Sequence, residues 1–468
     1  MSPAIASTSD RVNQAELHHR RTPGDRTLLE LEFVEAVATS DFPYALATVL
    51  PGRPPRSPGR PRLYPAWVPL VHLLLTGLVG SHSGAARILA NPQYWTKVRK
   101  IALARGEEQA PEQPPQKWHS DYWRRSMRMH TDDLLRAFEN QSATLARMLG
   151  CLDPEVPYSN TAPKRGQFIV GDGTVVRAPI RKDTAERWER SGRRRVDASL
   201  EMENGENGSD FAFGSKFVLL HTRPNSTRNL RIVLSLLFAP PGGGYGGEAQ
   251  LTSDKVRALA ARPDLSIHGL CYDGAFRGKH IDPLMKSGLT VLSPMHRGMK
   301  TTPLEQHQCR CGDTHDLVLR GGQPHEIEIT DRGERLLTPC PLGRILRRAN
   351  SDGTYRWYQE IAANCGTPKM VRIDTTDDDR RRGFKRSEHF RQHVPTPQGD
   401  SLYDRCYGWR EDAESCHNVL DRTLYGGRMI SFDTPGQILV MLGFAAGRNA
   451  IAEFLHHRDQ HLCQPAAA

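Results

Sequence analysis

The spacing of apolar residues changes from helical to strand-like near Gly166. Before this point apolar positions recur every three or four residues, in LLELEFVEAVA, LVHLLLTGLV and DDLLRAFENQSATLARMLGCL. After it, short apolar runs predict five strands, in QFIVGDGTVV, KFVLLHTR, LRIVLSLLFAP, LSIHGLCYDG and LTVLSP. Two predicted helices, LTSDKVRALAARP and AFRGKHIDPLMKSG, separate the last three strands. The order β-β-β-α-β-α-β therefore predicts an α/β domain.

This pattern divides the chain into five predicted parts. Residues 1–24 are a polar tail that we expect to be disordered, and residues 25–160 are a helical region. In residues 166–296, three antiparallel strands followed by two right-handed crossovers are typical of a ribonuclease-H-like fold. Residues 297–398 alternate strand-like pieces with turns, which predicts a β-rich insertion. Residues 399–457 are helical, and we expect them to return to the sheet domain.

Positive charge is concentrated near the N-terminus. The chain has 63 Lys and Arg against 53 Asp and Glu, and a pI of about 9.2 indicates a polyanionic partner. Residues 51–100 hold eight of the basic residues and no acid. The first part, PGRPPRSPGRPR, predicts an extended arm that could track DNA phosphates through Arg53, Arg56, Arg60 and Arg62. The alternative is a solvated linker between two helical pieces.

Neither the longest apolar run nor the cysteine content indicates a membrane or secreted protein. The run Trp67–Gly80 has 14 residues, against about 20 for a bilayer span, and predicts a buried helix. The N-terminus lacks a basic-then-apolar signal pattern, and nine cysteines are too sparse for a disulfide scaffold. We therefore expect no membrane partner and a cytoplasmic, nucleoid-associated protein.

Three carboxylates occupy informative places in the predicted elements. Asp172 lies within the first predicted strand, in VGDGTVV, and Asp273 ends the fourth, in LCYDGAF. Neighbouring strands of one sheet would bring the two side by side. Glu414 is on a later helix, where a spacing of about 100° per residue sets four residues within an arc of about 60°: Tyr407, Arg410, Glu414 and Asp421.

The chemistry of such a group explains why three acids would be needed. Closely held carboxylates repel one another unless a hard cation lies between them, and an oxygen-only cluster suits Mg²⁺ or Mn²⁺. Two such ions can activate a water or a 3′-hydroxyl for in-line displacement at phosphorus. A single Asp beside Gly at a strand end is usually a turn residue, so the interpretation depends on all three acids together.

These residues resemble the DDE transposases of bacterial insertion sequences, in the group with a Tyr-x2-Arg-x3-Glu-x6-Lys signature. The chain reads Tyr407-Gly-Trp-Arg410-Glu-Asp-Ala-Glu414, and the first two acids stand in the typical settings GDGTVV and YDGAFRG. The resemblance covers about 166–454 and includes a β-rich insertion before the Glu. The chain departs from the signature at the Lys position, where it has Asp421, with Arg422 next to it.

The resemblance implies an enzyme that binds transposon ends, cleaves DNA by metal-assisted hydrolysis and joins the 3′-hydroxyl to a target. Asp172, Asp273 and Glu414 would bind Mg²⁺ or Mn²⁺, and Tyr407, Arg410 and Arg422 would contact DNA. The expected partners are double-stranded DNA, both transposon ends and target, and a second copy of the chain on DNA. Two alternatives stay open, namely a transposase-derived DNA-binding protein without recombination activity, which Asp421 favours, and a ribonuclease-H-like nuclease without strand transfer.

The predicted insertion also contains a group of potential zinc ligands. His307, Cys309, Cys311 and His315 lie within nine residues, and Cys340 and Cys365 follow. Tetrahedral zinc takes Cys and His ligands, so Cys309 and Cys311 could bind it with two of His315, Cys340 and Cys365. The spacing is C-x-C instead of the usual C-x2-C. The alternative is a set of reduced cysteines in a small β-subdomain.

Overall fold

The chain divides into two compact units in the computed structural model. The structure describes residues 30–51, 63–203, 210–224, 230–241, 244–295, 299–309, 312–390, 402–424 and 427–463. Unit 1 comprises Met1–Cys151, Gly173–Gly242 and Asp412–Ala468, and unit 2 comprises Leu152–Asp172 and Gly243–Glu411. The described residues form a mixed α/β structure with several sheets, as the sequence predicts.

The helices and strands alternate in an irregular order along the chain. The helices are α1 (Glu30–Thr39), α2 (Phe42–Ala47), α3 (Trp67–Val79), α4 (His82–Ala90), α5 (Pro92–Ala104), α6 (Lys117–Met127), α7 (Thr131–Met148), α8 (Lys182–Arg190), α9 (Gly244–Ala260), α10 (Gly278–Lys286), α11 (Asp377–Arg381), α12 (Arg386–His389), α13 (Leu402–Tyr407), α14 (Glu411–Thr423) and α15 (Thr434–Cys463). The strands are β1 (Phe168–Arg177), β2 (Ser199–Glu203), β3 (Asp210–Thr222), β4 (Ile232–Ala239), β5 (Gly269–Cys271), β6 (Thr290–Leu292), β7 (Thr302–Gln308), β8 (Thr314–Arg320), β9 (Gln323–Ile329), β10 (Arg335–Pro339), β11 (Leu342–Ala349), β12 (Tyr355–Ala362) and β13 (Pro368–Arg372).

The core of unit 1 contains a close crossing of α3 and α15. Every residue of α3 is buried, which confirms the prediction of a buried helix from its apolar run. A Cβ atom on Gly77 would lie 2.0 Å from the backbone nitrogen of Phe444, and one on Gly443 would lie 2.3 Å from the carbonyl oxygen of Leu73. The two glycines therefore allow the helix backbones to approach more closely than any other residue type would permit.

Helix α15 contains a stretch, Thr434–Arg458, that is long and apolar enough to cross a membrane by length and composition alone. Within the structure, 78 % of its most apolar window is buried. The central helix of a globular domain passes the same test. Asn449, inside this stretch, accepts a hydrogen bond from the backbone N–H of Val233 at 2.8 Å and donates one to Ser142 at 3.0 Å.

The strands of unit 1 lie in the order β2-β3-β1, with β4 also paired to β3. Both β2 and β4 are antiparallel to β3. Strand β2 pairs with the first residues of β3, and β4 pairs with its residues from Lys216 to Thr222. Strand β1 belongs to unit 1 from Gly173 onward. Just after its end, the N–H of Ala178 donates a hydrogen bond to the carbonyl of Phe213 at 2.8 Å.

The first part of β1 forms a parallel sheet with β5 and β6 in unit 2, in the order β1-β5-β6. Phe168 pairs with Gly269, Ile169 with Leu270 and Val170 with Cys271. Strand β5 pairs with β6 in the same direction, and α10 makes the connection between them. Parallel neighbours require such a crossover, so the alternating pattern predicted from the sequence is realised here.

Two small antiparallel sheets follow in unit 2, within the segment for which the sequence predicts a β-rich insertion. Their orders are β10-β9-β8-β7 and β11-β12-β13. The sheets share a buried apolar cluster whose members come from both of them: Leu304, Leu317, Leu319, Cys340, Ile361 and Val371. The indole N–H of Trp357, on β12, donates a hydrogen bond to the carbonyl of Met285, on α10, at 2.6 Å.

The structure differs from the sequence-based elements in three places. Helix α8 and strand β2 lie between β1 and β3, where no element was predicted. Helix α9 begins at Gly244, seven residues before the start predicted at Leu251. A 3₁₀ turn at Gly408–Arg410 separates α13 from α14, so the signature residues do not lie on one uninterrupted α-helix.

Candidate active site

Asp172 lies on β1, and Asp273 lies two residues after the end of the adjacent parallel strand β5. The β1–β5 register pairs Val170 with Cys271, so each acid comes two residues after this last pair. The side chain of Asp172 is only 12 % exposed. Oδ1 of Asp273 accepts a hydrogen bond from the backbone N–H of Ala275 at 3.0 Å, which fixes the turn after the strand. The structure thus brings together the two acids that the sequence singles out on strands.

A third buried carboxylate, Glu248 on α9, belongs to the same group. Its residue is 4 % exposed, and its Oε1 accepts a hydrogen bond from the hydroxyl of Tyr272 at 2.5 Å. Tyr272 is the residue between Cys271 and Asp273. Glu248 contributes negative potential at Asp172, and both Glu248 and Asp273 contribute it at Tyr272. Asp172 on β1, Asp273 just after β5 and Glu248 on α9 therefore influence one another electrostatically within unit 2.

Sequence reasoning missed Glu248, although a signal for it exists. Glu248, Thr252 and Val256 recur at four-residue spacing, and all three are buried. An acid in register with the buried face of a helix is unusual, because burial of a charged group needs a compensating partner. The predicted start of α9 at Leu251 left Glu248 outside the helix, so this register was not seen.

Arg410 supplies the positive charge at this group. Its Nη2 donates a hydrogen bond to Oδ2 of Asp172 at 3.1 Å, and its side chain is 22 % exposed. Tyr407, three residues earlier, stacks on Tyr403 with the ring centroids 4.8 Å apart. Burial raises the pKa of the Tyr407 hydroxyl, which is therefore neutral at physiological pH and can donate a hydrogen bond.

The electrostatics of Asp172 reflect this mixture of charges. Burial raises the pKa of Asp172 to about 7, with further upward contributions from Asp273 and Glu248, whereas Arg410 acts in the opposite direction. The Arg410 guanidinium therefore does not offset the desolvation of Asp172. Carboxylate oxygens are the ligands that Mg²⁺ and Mn²⁺ prefer, so Asp172 and Asp273 are the residues here that could hold such an ion.

The remaining signature residues lie in unit 1. Glu414 is exposed on α14, and Asp421 and Arg422 are exposed in the last turns of the same helix. Asp412 fixes the start of the helix in unit 1, because its Oδ1 accepts hydrogen bonds from Arg223 and Arg231 at 2.9 and 2.8 Å. The 3₁₀ turn before α14 means that a uniform 100° per residue does not relate Tyr407 and Arg410 to Glu414.

The predicted basic arm, with Arg53, Arg56, Arg60 and Arg62, falls outside the described residues. Downstream of it, α4 and α5 are two short helices joined at Asn91. Ser81 caps α4 by accepting a hydrogen bond from the N–H of Gly84 at 3.1 Å. Asn91 caps α5 by accepting one from the N–H of Gln93 at 2.9 Å.

A cysteine–histidine cluster lies elsewhere in unit 2, with a membership that differs from the predicted zinc ligands. Ligand atoms of Cys309, His315 and Cys365 all lie within 4.8 Å of one another. Cys340, a predicted ligand, is not part of this group, and its side chain belongs to the apolar cluster that the two small sheets share. Cys311 falls outside the described residues.

No family model, curated protein or solved structure matches the chain. The assignment of a function therefore depends on the residues of the site and on their arrangement.

Proposed function

We propose that the chain is a DDE transposase, which binds transposon ends, cleaves DNA and transfers the 3′-hydroxyl strand to target DNA. The observation that carries the proposal is that Asp172 and Asp273 each lie two residues beyond the Val170–Cys271 pair of two adjacent parallel strands, with Arg410 bonded to Asp172. These are the first two acids and the Arg of the motif by which the sequence resembles that family.

The strand order supports a ribonuclease-H-like catalytic domain. Unit 1 contains the order β4-β3-β1, in which β3 and β4 are antiparallel, and unit 2 contains the parallel order β1-β5-β6. A central first strand flanked by an antiparallel hairpin and by parallel strands that follow helices is the arrangement expected of this fold. Strand β2 is an addition to it.

The residues present fit Mg²⁺ or Mn²⁺. Asp172 and Asp273 offer oxygen ligands, and burial, with smaller contributions from Asp273 and Glu248, raises the pKa of Asp172. By the resemblance, Glu414 is the third ligand, and in unit 2 Glu248 adds negative potential at Asp172. Bound divalent ions would activate the attacking water or 3′-hydroxyl and stabilise the leaving oxygen.

The protein's own side chains would then position the carboxylate of Asp172 and neutralise charge on the DNA phosphates. Arg410 holds the carboxylate of Asp172 by a charge-assisted hydrogen bond. Tyr407 and the exposed Arg422 are available to contact phosphates of the transposon end. The net charge of +10 favours binding to double-stranded DNA with strong salt dependence. Synapsis of two ends would require two copies of the chain on DNA.

The test uses the purified full-length chain with Mg²⁺ and a linear duplex that carries the sequences flanking its coding region. We expect Asp172→Asn, Asp273→Asn and Glu414→Gln each to lower strand cleavage by about 10³-fold or more. DNA binding by the same variants should stay within about threefold, because phosphate contacts supply most of the affinity. Asp331→Asn, in the exposed β9–β10 turn, is the matched control and should cleave normally.

The products distinguish the proposal from its alternatives. Joined products, in which a 3′ end is linked to target DNA, support a transposase. Cut ends without joining indicate a nuclease, and specific binding without cleavage indicates a transposase-derived DNA-binding protein. Cleavage at the normal rate by Asp172→Asn or Asp273→Asn would overturn the assignment of the catalytic acids.

A further inference from the structure

We infer that Cys309, His315 and Cys365 form a zinc site that joins the two small sheets of unit 2. The site is separate from the carboxylate group, and its existence does not depend on the proposed function. Cys309 directly follows β7, His315 lies on β8, and Cys365 lies in the turn between β12 and β13. The three ligands therefore come from both small sheets.

The distances fit coordination of one tetrahedral ion. The Sγ atoms of Cys309 and Cys365 are 3.6 Å apart, and one ligand atom of His315 completes a group within 4.8 Å. Two thiolates at about 2.3 Å from a tetrahedral zinc are about 3.8 Å apart, close to the observed separation. A disulfide would instead need about 2.05 Å.

The imidazole of His315 is oriented in the way that zinc ligands usually are. Its Nδ1 is hydrogen-bonded to Oε1 of Glu326, a residue that is 5 % exposed, and the ring also contacts Cys309. A carboxylate that accepts from one ring nitrogen fixes the tautomer and presents the other nitrogen to the metal. Glu326 thus acts as a positioning residue, not as a ligand.

Glu326 also holds the turn of the second sheet that carries the ligand Cys365. Its Oε2 accepts a hydrogen bond from the backbone N–H of Asn364 at 2.8 Å, next to Cys365. One buried carboxylate therefore holds both His315 and the turn that carries Cys365. The donor set of two sulfurs and one nitrogen suits Zn²⁺ and disfavours Mg²⁺, which takes oxygen ligands. Cys365 is exposed, so an ion can enter from solvent.

A zinc ion bound here would link the two small sheets of unit 2 at the edge of the apolar cluster that they share. The two sheets are short and share few large apolar side chains, so a bound ion would stabilise their packing. The three ligands among the described residues leave one tetrahedral position for solvent or a further ligand.

The first test is zinc analysis of the full-length chain, purified under reducing conditions without chelators. We expect about one zinc per chain, and less than about 0.2 per chain would overturn the site. Replacement by Co²⁺ should give thiolate-to-cobalt charge-transfer bands and the intense visible bands of a tetrahedral ion. Loss of two titratable thiols with a mass two hydrogens lower would indicate a Cys309–Cys365 disulfide and would also overturn it.

Single substitutions show which residues bind the zinc ion. Cys309→Ser, His315→Gln and Cys365→Ser should each lose zinc, whereas Cys340→Ala and His325→Gln, in the same segment, should retain it. Glu326→Gln should keep the cobalt spectrum but weaken zinc binding about 10- to 100-fold in competition with a chromophoric chelator. Full zinc content in both cysteine variants would refute the assignment.

A measurement on the unaltered chain covers the case in which a variant fails to fold. Chelator treatment should increase hydrogen exchange in residues 302–372, and added Zn²⁺ alone should reverse the increase. Unchanged exchange in a chain freed of zinc would show that no ion bridges the sheets.

Discussion

Arg410 donates a hydrogen bond from Nη2 to Oδ2 of Asp172 at 3.1 Å, and so places the signature arginine against the first acid of the candidate site. The family resemblance instead implies that this arginine contacts DNA phosphates. The two roles predict different consequences of its removal.

We expect Arg410→Ala to lower the cleavage rate at saturating DNA by about 10- to 100-fold. A hydrogen bond to a charged group contributes about 1.5–3 kcal/mol, and its loss leaves Asp172 among carboxylates with no compensating charge from this arginine. Arg410→Lys should recover part of the rate, because it keeps the charge but not the planar fork. A full rate at saturating DNA with weakened binding would instead indicate a phosphate contact alone.

Glu248 gives a second prediction, which distinguishes a role in attracting the cation from a purely structural role. Glu248→Gln keeps the shape and an acceptor for the Tyr272 hydroxyl but removes the charge. If its carboxylate helps to attract the cation, half-maximal cleavage should require about 10-fold more Mg²⁺. Tyr272→Phe, which removes only the donor, is the matched control and should need no more Mg²⁺ than the unaltered chain. Equal Mg²⁺ requirements for Glu248→Gln and the unaltered chain would exclude this role.

The sequence predicts the strand acids well because they depend on local pattern and strand adjacency. Asp172 and Asp273 stand in apolar runs whose register follows from parallel pairing, and a one-residue change in register would separate them. Glu248 was missed because its burial depends on which face of α9 packs inward, and the predicted helix began too late.

Local pattern also failed where the backbone departs from a regular helix. The turn Gly408–Arg410 has 3₁₀ geometry, so the rotation per residue is not constant from Tyr407 to Glu414. The prediction that Tyr407, Arg410 and Glu414 share one helix face assumed the constant rotation of an α-helix. For the cysteine cluster, spacing suggested Cys340 as a ligand. Its place in the apolar cluster is set by the packing of two sheets, which spacing does not reveal.

Asp412 predicts a stability effect in the helix that carries Glu414. Its side chain is 3 % exposed and bonds both Arg223 and Arg231, which are 13 % and 18 % exposed. Asp412→Ala would leave two largely buried guanidinium groups without this partner, at a cost of about 3–5 kcal/mol in the free energy of unfolding. Urea denaturation measures the change. Asp121→Ala, which breaks a half-exposed pair with Arg124 within one helix, should cost about 1 kcal/mol or less. Similar losses in both variants would contradict the prediction.

The close crossing of α3 and α15 predicts that Gly443→Ala destabilises the protein, whereas the same change at Gly247 on α9 should have the opposite effect. Gly443→Ala places a Cβ 2.3 Å from the carbonyl oxygen of Leu73, so the helices must separate, at a cost of about 1–3 kcal/mol. Gly247, inside α9, has nothing within 4 Å of the position that a Cβ atom would occupy. Gly247→Ala should therefore stabilise the protein by about 0.5–1 kcal/mol through better helix propensity. Thermal unfolding of the two variants compares the signs, and a stabilised Gly443→Ala would contradict the close crossing.

Glu453 predicts how stability depends on pH. It lies buried on α15, where its Oε2 accepts a hydrogen bond from the hydroxyl of Ser40 at 2.6 Å, and burial raises its pKa from 4.5 to about 7. Between these values the folded chain keeps a proton that the unfolded chain loses. The contribution of Glu453 to stability is therefore greatest below pH 4.5 and declines as the pH rises to about 7. The total decline is about 3 kcal/mol at about 1.4 kcal/mol per pH unit, and it levels off above pH 7.

Glu453→Gln removes this titration while keeping the size of the side chain and an acceptor for Ser40. Relative to the unaltered chain, the variant should gain about 3 kcal/mol on going from pH 4.5 to pH 8, because only the unaltered chain must bury a charge at the higher pH. Urea denaturation of both proteins at pH 5, 6, 7 and 8 gives the difference directly, and groups common to both proteins cancel. A difference that stays constant across this range would mean that Glu453 is ionised in the folded chain at pH 5, with enough compensation from its surroundings to offset its burial.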